Sequence, residues 1–338
     1  MIKFLQSSCD WTTASWYDAA SGGNLVPAPG SDDVGDVNGY DLTVDADISG
    51  VGGFRNNSSS GGRLLFSGST PRSVTTGSEG FCGWKSPLVQ VDSGNTVVLH
   101  GTLYQGNAQT LSISAGGGCT HYGDRYSTST SISLISNAGT LTLSGGTLYL
   151  NAPYSSVVAV TCVSGGTNYF GTVEHPMAVA GSGKGVAFSH SSGSATSYLT
   201  LSSLECFGND SYILRMSSVG SIIWRNQVTR INSSKVAAIL ISYGTLDIAG
   251  LELQCYGDFV GNFGSATLVT DSNTKLIEMS ATAGIAGNLA AFTAKRIKPT
   301  IPAADAVRNG LVYGYNNALT GSMAAGGNGA NWEGGYSA

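Results

Sequence analysis

Alternation of apolar and small polar residues is the feature of this 338-residue chain that most restricts its fold. The pattern runs through residues 96–104, 140–150 and 198–206, and Gly, Ser and Asn clusters separate such runs. Alternation with a period of two is typical of β-strands, and the small polar clusters are typical of turns. The sequence therefore predicts an all-β protein.

Groups of apolar residues return about every 20–25 positions without an exact repeat, which is the spacing of solenoid coils. In residues 139–153 the pair Gly145-Gly146 separates two alternating runs. Two glycines fit either a hairpin turn or a corner between two faces of a β-helix. We predict a single-stranded right-handed parallel β-helix, and a β-sandwich or hairpin-rich β domain is the alternative.

Composition excludes several classes of protein. Glycine supplies 48 residues, charged residues make up only 11% and hydrophobic residues 41%. A long α-helical protein needs more Ala, Glu, Lys and Leu, and a disordered chain lacks apolar material. The net charge is −5 and the one basic cluster is Lys295, Arg296 and Lys298, so we expect no nucleic-acid partner. No run approaches the ~18 apolar residues of a membrane span, so we expect no membrane insertion.

Four segments are predicted from these patterns: an N-terminal cap (1–45), a β-helix body (46–283), a C-terminal helix–hairpin module (284–323) and a Gly-rich arm (324–338). Helices are expected at 284–297 and at 302–309, where Pro302 and Gly310 supply start and stop signals. The N-terminus, MIKFLQSSCDW, has no apolar core of signal-peptide length. We therefore expect assembly inside a cell and release by lysis.

The N-terminal cap carries Trp11, Trp16, the turn Pro27-Ala28-Pro29-Gly30-Ser31-Asp32-Asp33-Val34 and the run Leu42-Thr43-Val44-Asp45. This arrangement resembles the entry segment of many β-helical phage and bacterial surface proteins. In those families a P-G-x-x-D-x-V turn leads into the first coil, and tryptophans cover its open end. Such cover is needed because a first coil exposes apolar surface and unpaired edge groups.

The segment PAADAVRNGLVYG, followed by LTG at 319–321, lies near the C-terminus. It resembles the P-A-x-x-D-V-R-x-G-x-x-Y…L-T-G module of tailed-bacteriophage structural proteins, with Ala306 as one extra residue. The resemblance implies a virion protein of the fibre, spike or capsid-decoration type, displayed on the particle surface beside other virion proteins. Phage fibres are commonly three-fold, so we expect a homotrimer. The predicted assembly interface is Leu311, Val312, Tyr313, Leu319, Trp332 and Tyr336.

No metal or cofactor is expected. The six cysteines are widely spaced, without CxxC or zinc-like Cys/His spacing, and are predicted to be free buried thiols. Calcium binding is the alternative for the carboxylates of the cap, although EF-hand spacing is missing. Those carboxylates are Asp32, Asp33, Asp36 and Asp45.

No catalytic motif stands out, so the sequence predicts a structural protein and not an enzyme. A tailspike glycan depolymerase is the alternative, because such sites use paired carboxylates across a groove. A bacterial surface or filament-forming protein is a second alternative. The densest polar group is His121 with Asp124 and Arg125, which is interpreted as a polar turn on a coil corner. The candidate acids are Asp124, Glu174, Glu205, Asp210, Asp247, Glu252 and Asp258.

Aromatic residues in Ser-, Gly- and Asn-rich segments are the remaining candidates, and Phe170 is included among them. A sugar could stack on their ring faces, and they would serve equally as protein-interface residues. The residues predicted to contact a host-surface glycan are Tyr122, Tyr126, Tyr154 and Tyr169.

Overall fold

The computed structural model describes most of the chain up to residue 206 and selected stretches beyond it. The described ranges are 1–68, 70–85, 87–128, 133–150, 157–163, 165–181, 185–190, 195–206, 214–216, 220–224, 229–233, 237–241, 243–255, 259–262, 267–278, 285–287, 295–297, 312–313 and 319–320.

Three parallel ladders of short strands make up the body of the protein, and each coil of the chain adds one strand to each ladder. The first ladder consists of Cys9–Asp10, Leu42–Thr43, Leu64–Phe66, Val89–Val91, Leu111–Ile113, Ile135–Asn137, Val157–Cys162, Gly185–His190, Leu214–Met216, Ala237–Ile241, Phe259–Asn262 and Ile285–Gly287.

The second and third ladders form one continuous sheet, because Ile48–Asn56 and Arg72–Gly83 run through both. The second ladder continues with Thr96–His100, Gly118–Tyr122, Thr140–Ser144, Thr167–Phe170, Ala195–Leu199, Gly220–Trp224, Thr245–Asp247 and Thr267–Val269. The third continues with Leu103–Gln105, Arg125–Ser127, Thr147–Leu150, Met177–Gly181, Leu201–Cys206, Thr229–Ser233, Glu252–Cys255, Lys275–Glu278 and Lys295–Ile297.

The register confirms the all-β class and the parallel β-helix. Val89 pairs with Leu111, 22 residues later, and Val160 pairs with Phe188, 28 residues later. The strands on either side of Gly145-Gly146 belong to different ladders, so these glycines form a corner and not a hairpin. The right-handed sense of the coil stays a prediction.

Alternation along each strand directs one set of side chains inward. Leu99, Leu103, Leu143 and Leu148 are all fully buried, and neighbouring coils stack such residues into columns. Burial of one such side chain contributes about 1.5–3 kcal/mol, so the stacked interior stabilises the solenoid against the entropy cost of ordering the chain.

The N-terminal segment packs against the first coil through aromatic rings and ion pairs. Its elements are the strands Ile2–Phe4, Trp16–Tyr17, Leu25–Val26 and Val34–Asp36 and the 3₁₀ turn Trp11–Thr13. Trp16 is 1% exposed, and its ring centroid lies 6.1 Å from that of Trp11. Lys3 Nζ lies 2.7 Å from the Asp33 carboxylate, and Arg55 Nε lies 2.8 Å from that of Asp36.

The helix predicted at 284–297 is wrong where the structure describes it. Ile285–Gly287 pairs with the strand Phe259–Asn262, and Lys295–Ile297 pairs with Lys275–Glu278. Ala and Leu favour helices only weakly, and pairing with the preceding coil outweighs that preference. The region 302–309 lies outside the described residues. Among those described, no helix is long and apolar enough to cross a membrane.

Candidate ligand-binding surface

Glycines form the corner at which the chain passes from the second ladder to the third. Gly101, Gly123, Gly146 and Gly171 occupy this corner on successive coils, with φ of +136°, +130°, +67° and +83°. A Cβ at Gly123 would lie 2.3 Å from the Gly101 carbonyl oxygen, and one at Gly146 would lie 2.3 Å from that of Gly123. Only glycine lets the backbones stack this closely.

A column of three tyrosines runs along the outer surface beside this corner. Tyr104, Tyr126 and Tyr149 hold the same register position on three consecutive coils of the third ladder. Their ring centroids are 5.2 Å and 4.5 Å apart, with interplanar angles of 16° and 11°. The three rings, here called the tyrosine column, are stacked face to face in offset fashion.

Two further ring stacks lie on the second ladder. His100 stacks on Tyr122 at 4.8 Å, and Tyr169 stacks on Tyr198 at 4.9 Å. Tyr122 and Tyr169 are each 38% exposed. Aromatic residues therefore stand out on both sides of the corner.

The sequence prediction for these aromatics needs two corrections. Tyr122, Tyr126 and Tyr169 lie in strands and not in loops, because the alternating register extends through them. Phe170 is fully buried, because it follows the outward Tyr169 and therefore points inward. Tyr154 lies outside the described residues.

The inner side of the same corner holds a buried cation. Arg125 is 0% exposed; its Nε donates to His121 Nδ1 at 3.1 Å, and its terminal nitrogens donate to the carbonyls of Gly145 at 2.7 Å and His121 at 3.0 Å. Because Nδ1 accepts, Nε2 of His121 carries the proton and donates to the Gly101 carbonyl at 2.8 Å. The interpretation of this segment as a polar turn is therefore wrong for His121 and Arg125, which point into the core.

Burial controls the protonation of this pair. It lowers the pKa of Arg125 to about 9, an effect that the Asp124 charge opposes. Burial, followed by the Arg125 charge, lowers the pKa of His121 well below its ordinary 6.5. The pair is thus a neutral imidazole held against a guanidinium, away from water. The spacing of Gly123 from Gly101 and Gly146 could have revealed it, because it aligns His121 with Leu99 and Leu143.

A second buried polar cluster lies where the first ladder passes to the second. His190 Nε2 lies 2.7 Å from Ser197 Oγ, which lies 3.7 Å from Cys162 Sγ. Burial lowers the pKa of His190 to about 4 and raises that of Cys162 to about 12. Asn137 donates to the Asn168 side-chain oxygen at 2.8 Å on the neighbouring coils. These groups are all buried, so they hydrogen-bond the coils together and do not face a substrate.

Of the candidate acids, Asp124 lies closest to the tyrosine column. Asp124 Oδ1 accepts from the Thr147 amide at 2.8 Å, and the Asp124 charge contributes, after burial and Tyr149, to raising the pKa of Tyr126. Glu174 lies in the exposed loop 171–176, which the His175 carbonyl attaches to the Gly145 amide at 2.9 Å.

The other candidate acids lie apart from this corner or are not described. Asp247 accepts from the Ala249 amide at 3.1 Å, and Glu252 opens a strand of the third ladder. Glu205 lies in the strand Leu201–Cys206. Asp210 and Asp258 lie outside the described residues.

The carboxylates of the cap bind other groups of the protein. Asp33 pairs with Lys3 and the terminal amine, Asp36 with Arg55, and Asp45 accepts from the Thr12 amide at 3.0 Å. Asp32 contributes its carbonyl to the terminal amine. Throughout the described ranges no group of three His, Cys, Asp or Glu side chains could hold a metal ion.

Four cysteines are described as free thiols. Cys119 and Cys162 are buried as predicted, whereas Cys9 and Cys82 are partly exposed. Burial raises the pKa of Cys82 to about 11, so this thiol is not activated as a nucleophile.

Part of the predicted assembly interface can be placed. Val312–Tyr313 pairs antiparallel with Leu319–Thr320. Leu311, Trp332 and Tyr336 lie outside the described residues.

Comparison of the chain with protein-family models, with curated proteins and with solved structures finds no match.

Proposed function

We propose that this chain is a structural protein of a tailed-phage virion, displayed on the particle surface, that contacts host-surface glycan through its outward aromatic residues. The observation that carries the glycan contact is the tyrosine column with Tyr122 on the opposite side of the same corner. Stacked rings fix tyrosine side chains before any ligand arrives, which lowers the entropy cost of binding. The resemblance of the N-terminal and C-terminal segments to phage proteins supports the virion assignment.

Glycan binding can be tested on the purified protein. An array of purified bacterial surface polysaccharides should reveal at least one that binds the protein, and the chain length of that polymer should stay constant during incubation. Retention with no change in polymer length is the expected result, since the proposed role is attachment. Failure to bind any surface polysaccharide would contradict the glycan contact.

A glycan depolymerase is the second candidate. Asp124 and the loop that carries Glu174 lie at the same glycine corner, beside the tyrosines, and hydrolysis of glycosides uses two carboxylates. Progressive shortening of the bound polysaccharide, lost in both Asp124→Asn and Glu174→Gln, would replace the attachment role with this activity.

The virion assignment has its own test. Mass spectrometry of intact particles should find the chain at a fixed copy number, in a multiple of three if it forms the proposed homotrimer. Light scattering of the full chain should give three times the monomer mass, and deletion of residues 300–338 should reduce it. A monomeric full chain would overturn the trimer.

A further inference from the structure

The tyrosine column ends abruptly while its ladder continues. Tyr149 pairs in register with Ala180 on the next coil, and Ala180 pairs with Glu205 on the coil after that. Rings at this position are 4.5–5.2 Å apart, so a fourth ring would stand at Ala180. A methyl group stands there instead. One face of Tyr149 is therefore not stacked against a ring from the next coil, and the missing ring leaves a space one ring thick.

The opposite end of the column has different neighbours. Tyr104 pairs with Cys82, and Cys82 pairs with Arg55. Arg55 is fixed there by its ion pair with Asp36 at 2.8 Å. A thiol and then a guanidinium thus follow the Tyr104 ring, where a methyl follows the Tyr149 ring.

The central ring of the column cannot stack on a ligand. Tyr104 covers one face of Tyr126 and Tyr149 covers the other. Tyr126 presents only its edge and its hydroxyl to the outside. This geometry restricts face-to-face contact with a ligand to the ends of the column.

A hydrogen-bond acceptor lies beside the Tyr149 end. Asp124 stands at the corner two residues before Tyr126, and its Oδ1 accepts from the amide of Thr147, which opens the strand that carries Tyr149. A carboxylate accepts hydrogen bonds from hydroxyl groups and repels phosphates and other anions. The site thus combines an apolar ring face with an acceptor for hydroxyls.

We infer that one pyranose ring of a neutral glycan stacks on the face of Tyr149 above Ala180, with its hydroxyls directed toward Asp124. This inference rests on the proposed glycan contact and assigns it to one position. A pyranose has a face of C–H groups that fits an aromatic ring, and hydroxyls at its rim that fit a carboxylate. The sugar takes the place of the ring that Ala180 lacks.

Filling that place tests the inference directly. Ala180→Tyr extends the column by one ring and should weaken binding of an array-selected polysaccharide about tenfold, whereas Ala180→Ser should leave binding unchanged. Tyr149→Ala should weaken binding to a similar degree, and Tyr104→Ala, at the other end, should not. Circular dichroism and the thermal midpoint establish that each variant is folded.

The outcomes separate the two proposals. Unchanged binding by both Ala180→Tyr and Tyr149→Ala, with the wild type bound, would overturn this position and leave the glycan contact standing. Equal weakening by Tyr104→Ala and Tyr149→Ala would also overturn it, because the end face would then have no special role. A wild type that binds no polysaccharide would overturn the glycan contact itself.

Discussion

Two neighbouring coils, residues 89–105 and residues 111–127, share one register but differ inside. Val97, Leu99 and Leu103 of the first pair with Cys119, His121 and Arg125 of the second. On the outside the two coils match, since His100 stacks on Tyr122 and Tyr104 stacks on Tyr126. The outer aromatic pattern is therefore independent of what fills the core beneath it.

The polar coil is tolerated because the corner supplies acceptors. A buried cation costs several kcal/mol unless its donors are hydrogen-bonded. The stacked glycine corner brings the carbonyls of Gly101 and Gly145 within reach of His121 and Arg125. In the apolar coil, leucines occupy the matching positions and require no acceptor. The comparison shows that one backbone supports both solutions.

Breaking the polar pair should have the largest effect. His121→Leu leaves the Arg125 Nε buried without its acceptor and should lower the free energy of unfolding by about 3 kcal/mol. Arg125→Leu should cost about 2 kcal/mol, because it leaves Nδ1 of His121 unpaired. Urea titration measures both changes.

The double variant His121→Leu/Arg125→Leu makes the polar coil like its neighbours. Its stability should match or exceed that of the wild type, because apolar residues often replace buried polar pairs without loss. If the two single costs simply add in the double variant, the pair is not coupled and the comparison fails.

The corner glycine comes next in size. Gly123→Ala places a Cβ against the Gly101 carbonyl, the same group that accepts from His121, and at a φ of +130°. We expect a loss of about 2–4 kcal/mol in the free energy of unfolding. Gly94→Ala is the matched control: its φ is +79° and no atom lies within 4 Å of the added Cβ, so the loss should be about 1 kcal/mol. Equal losses would argue against close backbone stacking.

Acid should destabilise the polar coil specifically. The pKa of His121 is lowered in the folded protein, so below pH 6.5 the unfolded chain binds a proton that the folded chain does not. Stability therefore falls as the pH falls. Between pH 7 and pH 5 the wild type should lose about 2 kcal/mol more than the His121→Leu/Arg125→Leu variant. His190, whose pKa is lowered to about 4, is present in both proteins and cancels. Parallel pH profiles would contradict the assignment.

The outer column should matter least to folding. Tyr126→Ala removes the central ring, and cross-strand aromatic pairs contribute up to about 1 kcal/mol each, so we expect a loss of about 1 kcal/mol. A loss as large as that of His121→Leu would mean that the outer rows, and not the interior, hold these coils together. The thermal midpoint gives a convenient measurement.

Period-two alternation was sufficient to predict the fold class, because it depends only on which side chains must be buried. It also predicted the strand that carries Leu141 and Leu143. Local propensity failed at 284–297, since pairing with the preceding coil is not a local property. The stacking of Tyr104 on Tyr126 and Tyr149 was equally hidden, because it requires the register between residues more than 20 positions apart. Coil lengths vary from 22 to 28 residues in the pairs quoted above, so composition alone cannot align them.

The register of the ladders also bears on how the protein can change in length. Val89 and Leu111 hold equivalent positions, so removing residues 89–110 would join Leu88 to Leu111 with every later strand still in step. Each coil contacts mainly its two neighbours, so the remaining coils keep their own partners. The height of the molecule is therefore quantised in steps of about 4.8 Å, one per coil. Loss or duplication of a coil would alter reach and leave the remaining surface unchanged.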